Sequence, residues 1–568
     1  MTNYQFTGGT ICAPATIPGT GAISIIRVSG KESLAIADKI IDTKGVPIAE
    51  TEGYRLRYGT VFEADGSVLD NVIVSVFRAP HSYTGENSVE ISCHASRFIV
   101  NKILELLVNA GARIAAPGEF TRRAFVNGKM DLAQAEAVAD VIASQSAASH
   151  RVAMNQLKGG FSSELKVLRE KLLTMTSLLE LELDFSEEDV EFASRKELGQ
   201  LVDDSLTHIR RLTASFSRGN AIKNGVPVAI VGATNTGKST LLNALLGEER
   251  AIVSDIAGTT RDTIEETLNI DGILFRFIDT AGIRETDETI EKIGIDRTFK
   301  KLGEAAVVLG MTDLSRGEAS VLEDADFILS KVNEMGGVKN VAAENDGAET
   351  SGASIAGPDG ASLAETGGAP LAETGRTPLS ETGGAHPAGT GWASRHGHGD
   401  GQERKVVILV NKCDVAGDFY RDDNGTGYCS GNELGKNLAE IGGNKNVNHN
   451  NNIVSLIENK YDNCKVIPIS AKTGKGLSTL TKTLGEIGSE ITGSTDETLV
   501  TNVRHYEALV RAASALERVR AGLHIATLPP DLIAQHLREA LYHLGEIVGE
   551  ISTDETLGNI FRNFCIGK

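Results

Sequence analysis

Six cysteines in 568 residues are scattered without a single Cys-x-x-Cys pair, which argues against a disulfide framework and against a zinc centre. No apolar run approaches the roughly 18 residues of a membrane span, so no membrane contact is expected. The N-terminus, Met1-Thr-Asn-Tyr-Gln-Phe6, lacks the basic and apolar regions of a secretory leader, and a cytoplasmic location is the expectation. Positive charge is in deficit: 56 Lys and Arg stand against 76 Asp and Glu, for a formal net charge of −20. The chain as a whole is therefore no polyanion binder, and any contact with nucleic acid needs a local basic face or a partner. What remains, 41% hydrophobic and 23% charged residues, is the composition of a globular protein with ample core. The length suggests roughly three or four domains.

The chain can be arranged around Val226-Pro-Val-Ala-Ile-Val-Gly-Ala-Thr-Asn-Thr-Gly-Lys-Ser-Thr240. Val226 to Val231 is an apolar β-type run. It leads into Gly232-x-x-x-x-Gly237-Lys238-Ser239 and then a helical run beginning Leu241-Leu242. In that strand, loop and helix context the glycines let backbone N–H groups close around phosphates, and the helix N-terminus adds partial positive charge. Asn235, Thr236, Gly237, Lys238, Ser239 and Thr240 are the expected phosphate contacts, with Lys238 on the phosphate oxygens and Ser239 on Mg²⁺.

Four further motifs follow in order. Gly258-Thr259-Thr260-Arg261-Asp262 lies on a polar loop in which Thr260 can complete the Mg²⁺ shell, and Ser254, Asp255, Ile256 and Ala257 before it are further expected nucleotide contacts. Ile273 to Asp279-Thr280-Ala281-Gly282 is a strand ending in an acidic residue that holds the metal through water. Gly282 can then donate its N–H to a γ-phosphate and couple nucleotide state to loop position. Val406 to Asn411-Lys412-Cys413-Asp414 is a strand with a base-reading tail, since the Asp414 carboxylate can accept both N–H groups on guanine's Watson–Crick edge. Ser470-Ala471-Lys472 supplies a backbone contact to the base. Five motifs in this order predict a GTPase. Ile283 follows the Asp-Thr-Ala-Gly, so the water-orienting glutamine of Ras-like proteins is missing. Glu285, Asp287, Glu288 and Glu291 are the candidate replacements. No arginine finger is visible, but Asn235 can help bind a monovalent cation whose charge does the same electrostatic work.

Four parts are expected along the chain: an α+β domain at 1–125, helical residues at 126–220, an inserted α/β P-loop (Ras-like) domain at 221–490, and a second helical part at 491–568. Strand patterns occur at 22–28, 71–77 and 89–94, and helical patterns at 33–41 and 95–110. Arg27 and Glu90 are polar residues set in apolar strands, readable either as solvent-side positions or as site residues. The turn 82–87 suits either capping or a small-molecule site. Asp131 is the expected N-cap of a helical stretch running to about Phe185, with a break at Gly159-Gly160, and a further helix is expected from Lys196 to Arg218. The acidic cluster 187–189 reads as a solvated connection. Two inserts, 335–403 with its Glu-Thr-Gly repeats and 416–455 with its Asn-rich run, are expected to be disordered.

On these residues the chain resembles the MnmE family (also called TrmE) of tRNA-modification GTPases. Ser82-Tyr-Thr-Gly-Glu86, Pro117-Gly-Glu-Phe120, Asn127 to Glu136, the Asn-containing phosphate loop, Asp255 to Asp262 and the terminal Cys565-Ile-Gly-Lys568 carry the resemblance. The resemblance implies an N-terminal folate-binding domain that also dimerises, an all-α domain from both flanks and the inserted G domain. It implies GTP hydrolysis, stimulated by K⁺ and activated by G-domain dimerisation, coupled to modification at C5 of the wobble uridine of certain tRNAs. A flavin-dependent (FAD) partner, MnmG or GidA, would join it in a heterotetramer. A tetrahydrofolate derivative, 5-formyl or 5,10-methylene, would supply the one-carbon unit.

Carried over by motif, K⁺ contacts fall on Asn235, Ser254, Ile256 and Thr259, and Mg²⁺ ligands on Ser239 and Thr260. The water-orienting glutamate falls on Glu291, and folate contacts on Arg27, Glu90, Lys129 and Lys568. Cys565 reads either as a nucleophile or as a small buried side chain. Two departures stand out. His94-Ala95-Ser96 replaces the family's usual His-Gly-Gly, which predicts an altered tight turn, and Gly310 predicts a weakened central strand. The rival reading is a ribosome-assembly switch GTPase in the manner of Era or EngA. That class can share the Asn-type loop but requires neither the N-terminal domain nor the terminal Cys-Ile-Gly-Lys.

Overall fold

The computed structural model describes residues 8–63, 65–184, 194–249, 266–278, 305–334, 404–414, 419–421, 427–429, 453–461, 464–493, 497–524, 529–551, 554–562, 564 and 567. The chain divides into two compact units. One holds Met1–Gly225, Asp271–Leu274 and Gly488–Lys568, the other Val226–Ile270 and Phe275–Ile487.

The first unit opens with seven strands: β1 (Ile11–Pro14), β2 (Gly21–Ser29), β3 (Ile41–Asp42), β4 (Arg55–Phe62), β5 (Val68–Phe77), β6 (Ser88–Ala95) and β7 (Arg113–Ile114). They form one sheet in the order β3-β4-β5-β6-β2-β1-β7. The period-2 alternation of β5 and β6 sends Val72, Val74, Val76, Val89 and Ile91 into a core shared with Leu34, Ile36, Ile103 and Leu107 of the helices Ser33–Ile40 and Arg97–Asn109. The alternate positions face the other way. Leu56, Tyr58, Ile73 and Ile23 there are largely exposed, and Tyr58 lies directly across from Ile73. At His94-Ala95-Ser96 the chain does make a tight turn at the end of β6, with Ser96 N–H donating to His94 O (2.8 Å). Ala95 continues β6 opposite Gly21, and Ser96, at φ −101° and ψ 132°, precedes the helix in ordinary extended backbone.

The helix Leu132–Ala143 starts at Asp131, which forms a reciprocal capping box with Gln134 (2.8 and 2.9 Å). From there to Asp184 the chain makes three helices where two are expected, Leu132–Ala143, Ala147–Leu157 and Gly160–Asp184. The extra break comes from Ser146, which bonds to Ser149 and starts a new helix with its own cap. The segment expected as one helix from Lys196 to Arg218 is likewise two, Arg195–Ala214 and Phe216–Asn224. Ser215 intervenes: its hydroxyl donates to Leu212 O and accepts from Val500 N, and Gly219 packs directly on the Val500 carbonyl. Leu165, Leu172, Leu206 and Ile209 share one core with Leu509, Leu516, Leu537 and Leu544 of the helices Val503–His524 and Pro530–Val548.

The second unit is built on β8 (Val226–Gly232), β9 (Glu266–Ile270), β10 (Ile273–Ile278), β11 (Val307–Asp313), β12 (Lys405–Asn411) and β15 (Cys464–Pro468), ordered β15-β12-β11-β8-β10-β9. The pairings of β8 with β10 and β11, and of β12 with β11 and β15, are all parallel. The near-continuous apolar runs follow from this, because strands buried on both faces have no solvent side to alternate towards. Gly310 does not interrupt its strand: β11 pairs along its length with β12, and a Cβ there would meet Ile408 Cδ1 at 2.6 Å. Its missing side chain is room taken by Ile408 and Ile328.

The insert 335–403 lies outside the described residues. The expectation of disorder across 416–455 fails in part, since β13 (Phe419–Arg421) and β14 (Gly427–Cys429) pair as antiparallel strands and the helix Ile453–Lys460 begins within it. Tyr420 pairs with Tyr428, and aromatic residues carry a strand preference that the low-complexity composition hides. No helix among the described residues is long and apolar enough to cross a membrane.

Candidate functional site

At the end of β8 the backbone turns through Gly232, Asn235 and Gly237, all at positive φ (155°, 62° and 97°). Gly232 is required by its neighbour, because a Cβ would lie 2.3 Å from Met311 O on β11. Thr236 is fully buried and its hydroxyl donates to Ala233 O (2.9 Å). Lys238, the first residue of the helix Lys238–Glu249, folds back so that Nζ donates to Gly232 O (2.9 Å) and Ala233 O (2.7 Å). Its ammonium is thus held across the loop, and burial pushes its pKa below the ordinary lysine value. Ser239 is half-buried, while Thr240 and Asn235 are exposed. The loop has the shape that anion-binding helix N-termini use: left-handed turns, a buried threonine and a lysine at the first helical position.

The end of β12 completes the arrangement. Asn411, buried, donates from Nδ2 to Thr236 O (2.7 Å) and accepts from Ala471 N at Oδ1 (3.0 Å). One side chain therefore ties the phosphate loop to the segment 470–472. Lys412 sits at φ 63° with Nζ 2.6 Å from Asp313 Oδ2. Asp414 is exposed, and its carboxyl is held below the usual aspartate value by a hydrogen bond from Ser470 and then by the charges of Lys472 and Lys412. It stays an acceptor at neutral pH. Ser470 and Ala471 are buried and Lys472 is exposed.

A second constellation lies on the first sheet. Arg27 and Glu90 are cross-strand partners, and Arg27 Nε and the Glu90 carboxylate are 2.9 Å apart. At 17% and 25% exposure they do not simply face solvent. The guanidinium also lies over the rings of Tyr83 (5.2 Å) and Phe120 (5.6 Å), and donates to Gly567 O at 3.5 Å. Gly567 itself, at φ 97°, sits where a Cβ would come 2.0 Å from Pro14 O. Gly118 similarly meets Phe561 and Phe564. Gly567 is thereby seated on the N-terminal sheet beside Arg27. Lys129 is exposed and donates to Pro80 O (3.1 Å). The turn 82–87 is bound into the scaffold: Glu86 accepts from Ser29 (2.9 Å) and from the buried Arg123 (2.9 Å), which also bonds Glu119 (3.1 Å).

Ser254, Asp255, Ile256, Ala257, Gly258, Thr259, Thr260, Asp279, Thr280, Ala281, Gly282, Glu291, Cys565 and Lys568 lie outside the described residues, as do 187–189. The candidate cation and water-orienting groups are accordingly represented here by Asn235 and Ser239 alone. Among the described residues no group of three His, Cys, Asp or Glu is placed to hold a metal ion. Tyr83, Phe120 and Gly567 lie within the motifs that carry the resemblance but are given no contact of their own by it, and Arg123 and Asp313 are given no role. The signal for Asp313 is a carboxylate at the end of a strand that is apolar up to Thr312.

The family model described as "MnmE helical domain" matches residues 132–565, and that described as "GTP-binding protein TrmE N-terminus" matches residues 10–129. The tRNA modification GTPase MnmE of Parabacteroides distasonis is 43% identical over 562 residues, covering 98% of this chain and 100% of that protein. The protein of the same name from Porphyromonas gingivalis is 41% identical over 570 residues, covering 100% and 99%. A solved GTP-binding protein from Sulfolobus solfataricus in complex with GDP matches 58% of this chain and 67% of its own at 14% identity, with a TM-score of 0.24.

Proposed function

The chain belongs to the MnmE (TrmE) family of tRNA modification GTPases, and from that premise we propose that it binds and hydrolyses GTP to drive modification at C5 of the wobble uridine of certain tRNAs. The observation that carries the reading is the Asn411 bridge between phosphate loop and base loop, beside an ionised Asp414. Lys238 binds the β- and γ-phosphate oxygens once they displace the Gly232 and Ala233 carbonyls from its ammonium. Asp414 accepts guanine's two Watson–Crick N–H groups.

The donor sets fit the implied ions. Ser239 and Asn235 offer hard oxygen donors, the ligand type that Mg²⁺ takes alongside phosphate oxygens and water and that K⁺ also accepts. Together with Thr260, and with Ser254, Ile256 and Thr259, they would hold a Mg²⁺ and a K⁺ whose charge offsets that developing on the transferred phosphoryl group. Glu291 is the proposed water-orienting residue.

The Arg27–Glu90 pair, with Tyr83 and Phe120 as flanking rings, suits a flat heterocycle with both donors and acceptors on its edge, as in a tetrahydrofolate derivative. Lys129 and Lys568 complete the proposed folate site. The open apolar face around Leu56, Tyr58, Ile73 and Ile23 supports a homodimer through this sheet. A flavin-dependent MnmG-type partner, a heterotetramer and a cytoplasmic location belong to the same proposal. So does K⁺ stimulation on closure of two G domains.

The test is nucleoside mass spectrometry of tRNA from cells lacking this protein, with and without it restored. Loss and return of the wobble-uridine C5 substituent is the expected result. An unchanged nucleoside with accumulating unassembled ribosomal subunits favours the Era-like or EngA-like reading. Arg27→Ala is expected to weaken reduced-folate binding by about tenfold or more, since it removes a charged hydrogen-bonding partner. Titration by intrinsic fluorescence checks this, and unaltered affinity sinks the folate assignment.

A further inference from the structure

We infer that Asp313 is a positioning residue for guanine selectivity, acting through Lys412 to aim Asp414. The inference rests on the GTP reading above. Asp313 is the last residue of β11 and lies in register with Asn411, the last residue of β12. The next residue on the β12 side, Lys412, adopts φ 63°. A left-handed backbone is strained for an L side chain, so something must hold it there. The restraint is an ion pair: Lys412 Nζ is 2.6 Å from Asp313 Oδ2, with the carboxylate only 6% exposed. Burial alone would raise the Asp313 pKa, but hydrogen bonds from Lys412 and Ser315 outweigh it and keep the carboxyl below its usual value.

The consequence falls two residues later. The left-handed step at Lys412 carries the chain out of the strand direction, Cys413 turns inward, and its N–H bonds Ile469 O (3.3 Å). Asp414 then emerges exposed against Ser470. Releasing Lys412 lets its backbone relax towards negative φ, which rotates Asp414 away from the position that Ser470 and Asn411 define.

The two carboxylate oxygens of Asp313 have separate duties, and this makes the inference testable. Oδ1 caps the short turn Leu314–Arg316 by accepting from Ser315 N (3.0 Å) and Oγ (2.6 Å). Oδ2 serves Lys412. Asp313→Asn keeps an oxygen for the cap but puts an amide NH₂ where the ammonium needs an acceptor. Asp313→Ala removes both.

The experiment measures GTP, ITP and ATP affinities of the full chain and both variants by calorimetry, alongside thermal midpoints. Inosine lacks the 2-amino group, so the GTP-to-ITP ratio reports how well Asp414 is placed. In Asp313→Asn the ratio is expected to fall by about tenfold, the scale of one charge-assisted hydrogen bond, with a thermal midpoint near that of the parent. In Asp313→Ala the ratio falls equally and the midpoint drops as well. A ratio unchanged in Asp313→Asn overturns the positioning role, as does a ratio lost only in Asp313→Ala, which would make the residue a cap. If the parent protein itself does not prefer GTP over ATP, the GTP reading fails instead.

Discussion

Gly237→Ala is expected to weaken GTP binding by about 100-fold or more, equivalent to roughly 3 kcal/mol. Two costs combine. Gly237 lies at φ 97°, where any side chain is strained. A Cβ would also stand 2.4 Å from Asn411 Nδ2, a distance no contact tolerates, so Asn411 must move. Moving it breaks the bond to Thr236 O and pulls Oδ1 from Ala471 N. Both are buried, and a buried polar group left without its partner costs about 1–3 kcal/mol. The phosphate loop and the base loop then lose their common anchor, and triphosphate and guanine are gripped less well together. Gly317→Ala is the matched control, because Gly317 has φ 93° with no heavy atom within 4 Å of the added Cβ. Its GTP affinity is expected to stay within about threefold of the parent, since only a modest local strain is added. Calorimetric titration of both variants decides it. Equal losses would mean that strain, not the Asn411 bridge, governs the effect.

Glu136→Ala is expected to destabilise the first unit by about 3–5 kcal/mol, the cost of breaking a buried ion pair from one side. Glu136 stands on the helix Leu132–Ala143 with 8% of its side chain exposed. It takes Arg504 Nε at 2.9 Å and a second nitrogen of the same guanidinium at 3.0 Å. Arg504 also donates to Glu546 O (2.6 Å) and Ile547 O (3.0 Å), carbonyls in the last turn of the helix Pro530–Val548. His505, stacked on Phe161, lies 2.7 Å from the same carboxylate. One carboxylate thus neutralises the cation that joins three helices. Without it, a guanidinium stays buried with only carbonyl dipoles to face.

The same residues set an acid limit. Burial alone would raise the Glu136 pKa, but His505 and Arg504 outweigh it and hold the carboxyl well below 4.5. The unfolded chain therefore takes up this proton first as pH falls. The stability contributed by Glu136 is complete above about pH 4.5 and is lost as acid approaches the folded pKa. Burial also pushes His505 below its ordinary 6.5 against the pull of Glu136. Its unfolded form too binds a proton first, so the decline begins near neutrality and has the same sign. Urea unfolding followed from pH 7 to pH 3 is expected to show stability falling throughout in the parent. In Glu136→Gln the slope below about pH 5 should be shallower, because one linked proton is gone. An unchanged slope would assign the acid sensitivity elsewhere.

Several elements could be read directly along the chain because their causes are local. Asp131 followed by Gln134 is a capping box in four residues, and the period-2 pattern of 71–77 places valines on one sheet face wherever the strand ends up. The phosphate loop is of the same kind: its glycines, lysine and serine act through backbone turns and a helix end that nine consecutive residues specify. Other features depended on partners far away in sequence. The break at Ser215 requires Val500, 285 residues on. The ion pair that restrains Lys412 requires Asp313, 99 residues earlier. A period or a motif cannot announce such pairs, because each half is chemically ordinary alone and acquires its role from what folding brings beside it. Arg27 is the clearest instance. By itself the chain determined that an arginine interrupts an apolar strand. Only the tertiary structure decided that Glu90 would meet it across the sheet, that Tyr83 and Phe120 would flank it, and that Gly567, 540 residues away, would close over it. Strand register and chain termini are settled by packing, which sums weak contacts over the whole molecule, whereas loops and caps are settled by a few strong ones nearby.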